Sequence, residues 1–154
     1  TKIAALNLHP GPPEYPGIGC TNFALYNAEV DYGVTCHHME PKVDSGSIIF
    51  VDRFGVNPND DVYSLTQRSY SALQNIFYRV LDLIKNEELL PVSDENWTRK
   101  PFSRSQLDEL GRVTVDMSEE EVSRRMKATK FPGYSGAYVE WLDFKLEVKL
   151  SGQK

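Results

Sequence analysis

The sequence predicts an α/β domain. Three observations carry that prediction: an amphipathic stretch of many turns over residues 60–86, two short runs rich in Val, Ile, Thr and Phe over 33–39 and 47–53, and turn-forming residues framing each run. A chain of 154 residues with 40% hydrophobic and 25% charged side chains has the size and composition of one soluble globular domain.

The elements follow in order. The chain opens at Thr1 and enters at once an apolar run, Ile3, Ala4, Ala5 and Leu6, which reads as a strand already under way. Upstream sequence is therefore expected, a processed or cloned terminus being the other reading. Residues 9–17 hold four prolines and two glycines, which forbid regular structure and stiffen the path into a rigid loop. Residues 20–29 show a short helical pattern, with Thr21 placed to cap it and Phe23, Ala24 and Leu25 forming its apolar face. The runs over 33–39 and 47–53 are strands joined by a tight polar loop over 40–46. The acidic pair Asp60-Asp61 opens the long helix, on which Val62, Leu65, Leu73, Ile76, Phe77, Val80 and Ile84 recur at helical spacing. Residues 87–108, with Pro91, Pro101 and Trp97 among scattered charges, predict an irregular surface segment. Ser118-Glu119-Glu120-Glu121 starts a short helix over 119–129. The tail alternates apolar and polar residues over 137–141 and 144–150 around Leu142-Asp143, a β-hairpin with one face to bury against this chain or a second copy.

Charge and composition exclude several classes of function. Seventeen Lys and Arg against 22 Asp and Glu leave a net charge of −5, which gives no general attraction to nucleic acid or anionic lipid. No apolar run approaches the roughly 18 residues needed to span a bilayer, and no secretory signal is visible. Cys20 and Cys36, two thiols in a chain rich enough in apolar residues to build a core, read as reduced and buried, which points to the cytoplasm.

Alternation along a strand puts Asn7 and His9 on one face at the strand end, beside the rigid loop. An amide donor next to an imidazole suits polarising a carbonyl and moving a proton; a satisfied polar pair at a strand terminus is the plainer reading. Asp44, ahead of Ser45-Gly46, could orient His9, or serve only as a turn residue. Cys36-His37-His38, with Cys20 and His9, offers zinc-type ligands, but His37 and His38 point to opposite faces and no Cys-x-x-Cys or His-x-x-x-His pair exists. No metal is expected; one of the two histidines faces the site and the other solvent. Gly17-Ile18-Gly19 is a fragment of a dinucleotide fingerprint without its third glycine, better read as a flexible helix entry.

Taken jointly, Asn7-Leu8-His9-Pro10-Gly11 through Gly17, Gly33-Val34-Thr35-Cys36-His37-His38-Met39 and Val43-Asp44-Ser45-Gly46-Ser47-Ile48-Ile49 resemble the catalytic half of the folate-dependent formyltransferases, with 35 residues from His9 to Asp44. The resemblance is specific over residues 3–53 and general beyond. It implies a Rossmann-like core of which this chain holds the C-terminal half: catalytic core over 1–110, with the N-terminal Rossmann-like half missing, then a C-terminal helix and hairpin over 111–154. It implies 10-formyltetrahydrofolate as co-substrate, Asn7, His9 and Asp44 as catalytic group, and the backbone of Glu40, Pro41, Lys42 and Val43 as a rest for the pterin. Where the family carries Ser-Leu-Leu-Pro, this chain has Gly11-Pro12-Pro13-Glu14, one residue shorter, so the resemblance implies a different wall facing the amine. Gly11, Pro12 and Tyr15 are the expected substrate contacts; Phe23 and Trp97 could also stack on a base or sugar, but only Tyr15 adjoins His9.

The short tail and acidic balance disfavour transfer RNA and look most like the sugar N-formyltransferases. Those enzymes act on nucleotide-linked amino sugars for surface polysaccharide, and commonly form homodimers through a terminal hairpin. The competing functions are another amine such as glycinamide ribonucleotide, hydrolysis of formyl-folate, a non-catalytic scaffold of the same shape, and a zinc hydrolase using His9, His37 or His38.

Overall fold

The computed structural model describes residues 4–149. Its elements are β1 (Leu6–His9), α1 (Cys20–Tyr26), β2 (Asp31–His38), β3 (Ile48–Gly55), α2 (Val62–Lys85), α3 (Arg104–Gly111), α4 (Glu119–Thr129), β4 (Tyr138–Trp141) and β5 (Phe144–Glu147). The expected opening strand begins later than its apolar run. Pairing starts at Leu6 opposite His38, Ala4 and Ala5 precede it, and Ile3 lies outside the described residues, as does Leu150 of the expected hairpin.

β1, β2 and β3 form an antiparallel sheet in that order. Alternation divides their side chains between two faces. Leu8, Val34, Cys36 and Ile49 meet Leu73, Ile76 and Val80 of α2 in an apolar core. Asn7 pairs with His37 and His9 with Thr35, so these four share the other face. The β2–β3 register slips between Cys36 and His37, a bulge that leaves Ile49 without a partner and bends the strand beside His37.

α2 is the long helix expected, capped by Asp61, whose carboxylate accepts from the Ser64 amide while the Ser64 hydroxyl accepts from the Asp61 amide. At α1 the expected Thr21 cap is replaced. Gly19 occupies the N-cap in a left-handed conformation without a side-chain bond, and Thr21 bonds Thr66 instead.

A second core gathers Phe23, Ala24 and Leu25 of α1, Tyr32, Val62, Leu65, Phe102, Leu110 and Ala128 around the proline loop. The segment expected to be irregular over 87–108 gives way near its end to α3, which runs on to Gly111 and is started by a capping box of Ser103 and Gln106. α4 begins after Ser118 as expected and is tied to α1 by Asn22 Nδ2 donating to the Ala128 carbonyl. β4 and β5 form the hairpin; its root packs on this chain at Ala137 and Tyr138, while Trp141 at 66% and Phe144 at 65% exposure leave its far end uncovered. Among the described residues no helix is long and apolar enough to cross a membrane.

Candidate active site

Four side chains from three segments meet at the C-terminal end of β1. Asn7 Nδ2 donates to Asp44 Oδ1 at 3.2 Å and lies 3.1 Å from His37 Nε2. His37 Nδ1 donates to the His38 carbonyl at 2.8 Å, and its Nε2 faces both the Asn7 amide and Asp44 Oδ1. His9 Nδ1 lies 3.3 Å from Asp44 Oδ2, and His37 Nε2 3.3 Å from Asp44 Oδ1. All three ionisable members are withdrawn from water, with His9 4%, His37 2% and Asp44 8% exposed.

The loops that bring Asp44 there depend on particular residues. Gly17 donates its amide to Asp44 Oδ2 at 2.7 Å. Its φ of 89° is left-handed, and a Cβ would come within 2.4 Å of the Phe102 carbonyl oxygen, so only glycine fits. This amide is spent on Asp44 rather than on a phosphate. At Gly46 a Cβ would lie 1.8 Å from the His38 carbonyl oxygen, which lets the Asp44 loop close against β2. Asp44 itself adopts a φ of 42°, a conformation Asp tolerates better than most side chains.

His9 is held on both sides by acceptors. Its Nε2 donates to the Tyr15 carbonyl at 2.9 Å and its Nδ1 faces Asp44, so only the doubly protonated ring satisfies both. Burial pushes the imidazole below its ordinary 6.5, against the pull of Asp44 and the Tyr15 carbonyl. The ring is thus neutral at pH 7 yet placed where an incoming proton meets a carboxylate. For Asp44 burial works upward, but hydrogen bonding to His37, the charge of His9 and the Gly17 amide outweigh it and hold the carboxyl below its usual value. It remains ionised at neutral pH. The two thiols are free and buried, and burial raises both, Cys36 to about 11, so neither is a ready nucleophile.

The expected substrate wall is corrected by the structure. Tyr15 is buried, stacked near Phe102, and its hydroxyl donates to Glu29 while accepting from Asn27. Its ring belongs to the second core and is unavailable to a base or sugar; its carbonyl is what reaches the site. Gly11 and Pro12 are buried too, their carbonyls accepting from the Thr35 hydroxyl and the Tyr15 amide. The proline loop braces His9 from beneath instead of lining an open pocket. Glu40, Pro41, Lys42 and Val43 are exposed immediately before Asp44.

Two neighbours were left open by the sequence reading. His37, rather than His38, faces the cluster, a choice settled only by the pairing of Asn7 with His37. Trp97, left undecided between packing and stacking, lies with its indole 4.9 Å from the His37 ring and 5.8 Å from the His9 ring. No periodicity around it signals this.

The formyl transferase family matches residues 1–81. Over 90 residues, 58% of this chain and 7% of the relative, the chain is 36% identical to a trifunctional purine biosynthetic protein adenosine-3 of Drosophila pseudoobscura pseudoobscura. Among solved structures, a sugar N-formyltransferase from Shewanella sp FDAARGOS_354 aligns with a TM-score of 0.80 at 21% identity, over 99% of this chain and 63% of that one. An N-formyltransferase from Helicobacter canadensis, solved with folinic acid and dTDP-3-aminofucose, aligns with a TM-score of 0.69 at 24% identity, over 91% of this chain and 52% of that one. The chain thus spans less than two thirds of each of these proteins.

Proposed function

The chain belongs to the formyl transferase family, and on that ground we propose that it transfers the formyl group of 10-formyltetrahydrofolate to the primary amine of a nucleotide-linked amino sugar. The observation that carries this reading is the buried cluster of Asn7, His9, His37 and Asp44 at the end of β1. A scaffold has no need of four polar groups desolvated together.

The folate donor supplies a carbonyl carbon bound to nitrogen. The chain's residues do the rest. As the amine nitrogen bonds to that carbon, its proton passes to the His9–Asp44 pair, held between Nδ1 and Oδ2 across 3.3 Å. The imidazolium and the Asn7 amide face the negative charge developing on the formyl oxygen. When the bond from carbon to the folate nitrogen breaks, the pair returns the proton to that nitrogen. Formylated amine and tetrahydrofolate leave, and the pair is restored. The exposed backbone of Glu40, Pro41, Lys42 and Val43, fixed by Pro41 and next to Asp44, suits the hydrogen-bonding edge of a pterin.

The folinic acid and the dTDP-amino sugar of the Helicobacter structure support both substrate classes. The exposed Trp141 and Phe144 support a homodimer through the hairpin. A purine-precursor amine such as glycinamide ribonucleotide is the second reading, favoured by the identity to the purine biosynthetic protein.

The test is incubation with 10-formyltetrahydrofolate and a panel of nucleotide-linked amino sugars, glycinamide ribonucleotide and no amine, with products followed by mass. One formyl group gained by a single sugar is the expected result. Formylation of glycinamide ribonucleotide alone selects the second reading, tetrahydrofolate release without any amine selects hydrolysis, and silence throughout selects a scaffold.

A further inference from the structure

We propose that Trp97 is a positioning residue of this site, its indole a dry cover that locks the Asp44 loop and both imidazoles into one arrangement. The inference rests on the formyl-transfer reading for its kinetic consequence, but its structural content stands apart from it.

Three observations meet at this side chain. The indole Nε1–H donates to the Gly46 carbonyl at 2.8 Å, on the loop that carries Asp44. The ring meets His37 at 86° and His9 at 72°, edge-to-face contacts with the two imidazoles that flank Asp44. Its position is also built from outside. On one side of Trp97 the Ser93 amide donates to the Ile48 carbonyl of β3; on the other, Thr98 and Phe102 donate to the Pro13 and Pro16 carbonyls of the proline loop. Glu95 is paired with Arg53, which also holds Glu14 at 3.0 Å. A segment with no helix or strand of its own is therefore fastened to β3 and to the loop under His9, and Trp97 is the side chain it delivers inward.

The consequence is electrostatic as well as steric. The charged and titratable groups facing His9 are Asp44 from the loop before β3 and His37 from β2, with the Tyr15 carbonyl from the proline loop. The proline loop and the Asp44 loop enclose His9 from other sides, and the indole stands edge-to-face against its ring at 5.8 Å. Burial is the largest influence on His9 and acts downward. Removing the cover exposes the imidazole, while replacing indole by a phenyl ring keeps much of the cover and loses only the N–H to Gly46.

The experiment compares Trp97→Ala and Trp97→Phe in the full chain, with the His9 ring titrated by NMR without substrate and kcat and KM measured across pH. Trp97→Ala is expected to raise the His9 midpoint toward 6.5 and to move the acid limb of kcat/KM with it. It should lower kcat by about 10²-fold, the scale of a small misplacement of reacting groups. Trp97→Phe is expected to leave the midpoint low and still lose kcat, because the Asp44 loop is released. An unmoved His9 midpoint in folded Trp97→Ala overturns the proposal. If Trp97→Ala does not fold, an unchanged kcat in Trp97→Phe overturns it. A shifted midpoint in a protein that transfers no formyl group overturns the function and leaves the cover in place.

Discussion

On the face of the sheet turned toward α2, Leu8, Val34 and Cys36 meet Leu73, Ile76 and Val80. On the opposite face of the same strands, Asn7, His9, Thr35 and His37 meet the proline loop, the Asp44 loop and Trp97. The first face is held by non-directional burial, which tolerates any apolar side chain of about the right volume. The second is held by hydrogen bonds of fixed geometry, and among the described residues no buried side-chain polar atom is left without a partner. One strand pattern thus builds a stable platform on one side and a reactive group on the other, and changes on the two sides should be felt in different measurements.

The largest effect is expected on the polar face. Asp44→Asn removes the carboxylate that receives the imidazolium, and turnover should fall about 10²–10⁴-fold with the sheet retained by circular dichroism. It should also change the acid limb of stability. Asp44 is held below its ordinary 3.8 in the folded chain, so it stabilises above that value and the contribution disappears as pH falls through the lower folded value. In the variant that loss is absent. His9 acts in the same sense, in a window at higher pH. Its folded value is depressed below 6.5, the unfolded chain binds more protons, and stability declines as pH drops below 6.5 toward the folded value. Unfolding curves across pH, with and without each substitution, separate the two windows.

On the apolar face, Ile76→Ala empties a site with no exposure and should cost about 2–5 kcal/mol of stability in denaturant melts. Turnover per folded molecule should be unchanged. A fall in kcat as large as that of Asp44→Asn would mean that the two faces are not separable. The smallest effect on folding is expected at the hairpin. Trp141→Lys alters a side chain that touches water and should move stability by no more than about 0.5 kcal/mol. The proposed hairpin dimer should nonetheless fall from two copies to one in light scattering; an unchanged dimer mass would remove the hairpin from the interface.

The apolar face was legible in the sequence because it is periodic: α2, β2 and β3 lie within a few residues of where spacing put them. The Asn7, His9 and Asp44 constellation was legible as a motif. What escaped lacks periodicity or depends on pairing. α3 lies in a segment broken by Pro101 and charges, although the Ser103-to-Gln106 capping box was there to be read. His37 and His38 are chemically alike until the register with Asn7 separates them. Tyr15 adjoins His9 in the chain, yet the turn from Pro12 to Tyr15 sends its ring inward to Phe102 and Glu29. Trp97 reaches the site across 51 residues from Gly46, a distance no local pattern spans.

The most direct test of the account is the kcat for formyl transfer by His9→Asn beside the unsubstituted chain, both with 10-formyltetrahydrofolate and the accepted amine. Asn lacks a group that titrates near neutrality, so the account predicts a fall of about 10²–10⁴-fold with the fold retained. Near-normal turnover in a folded His9→Asn would contradict it and move the chemistry away from the polar face of the sheet.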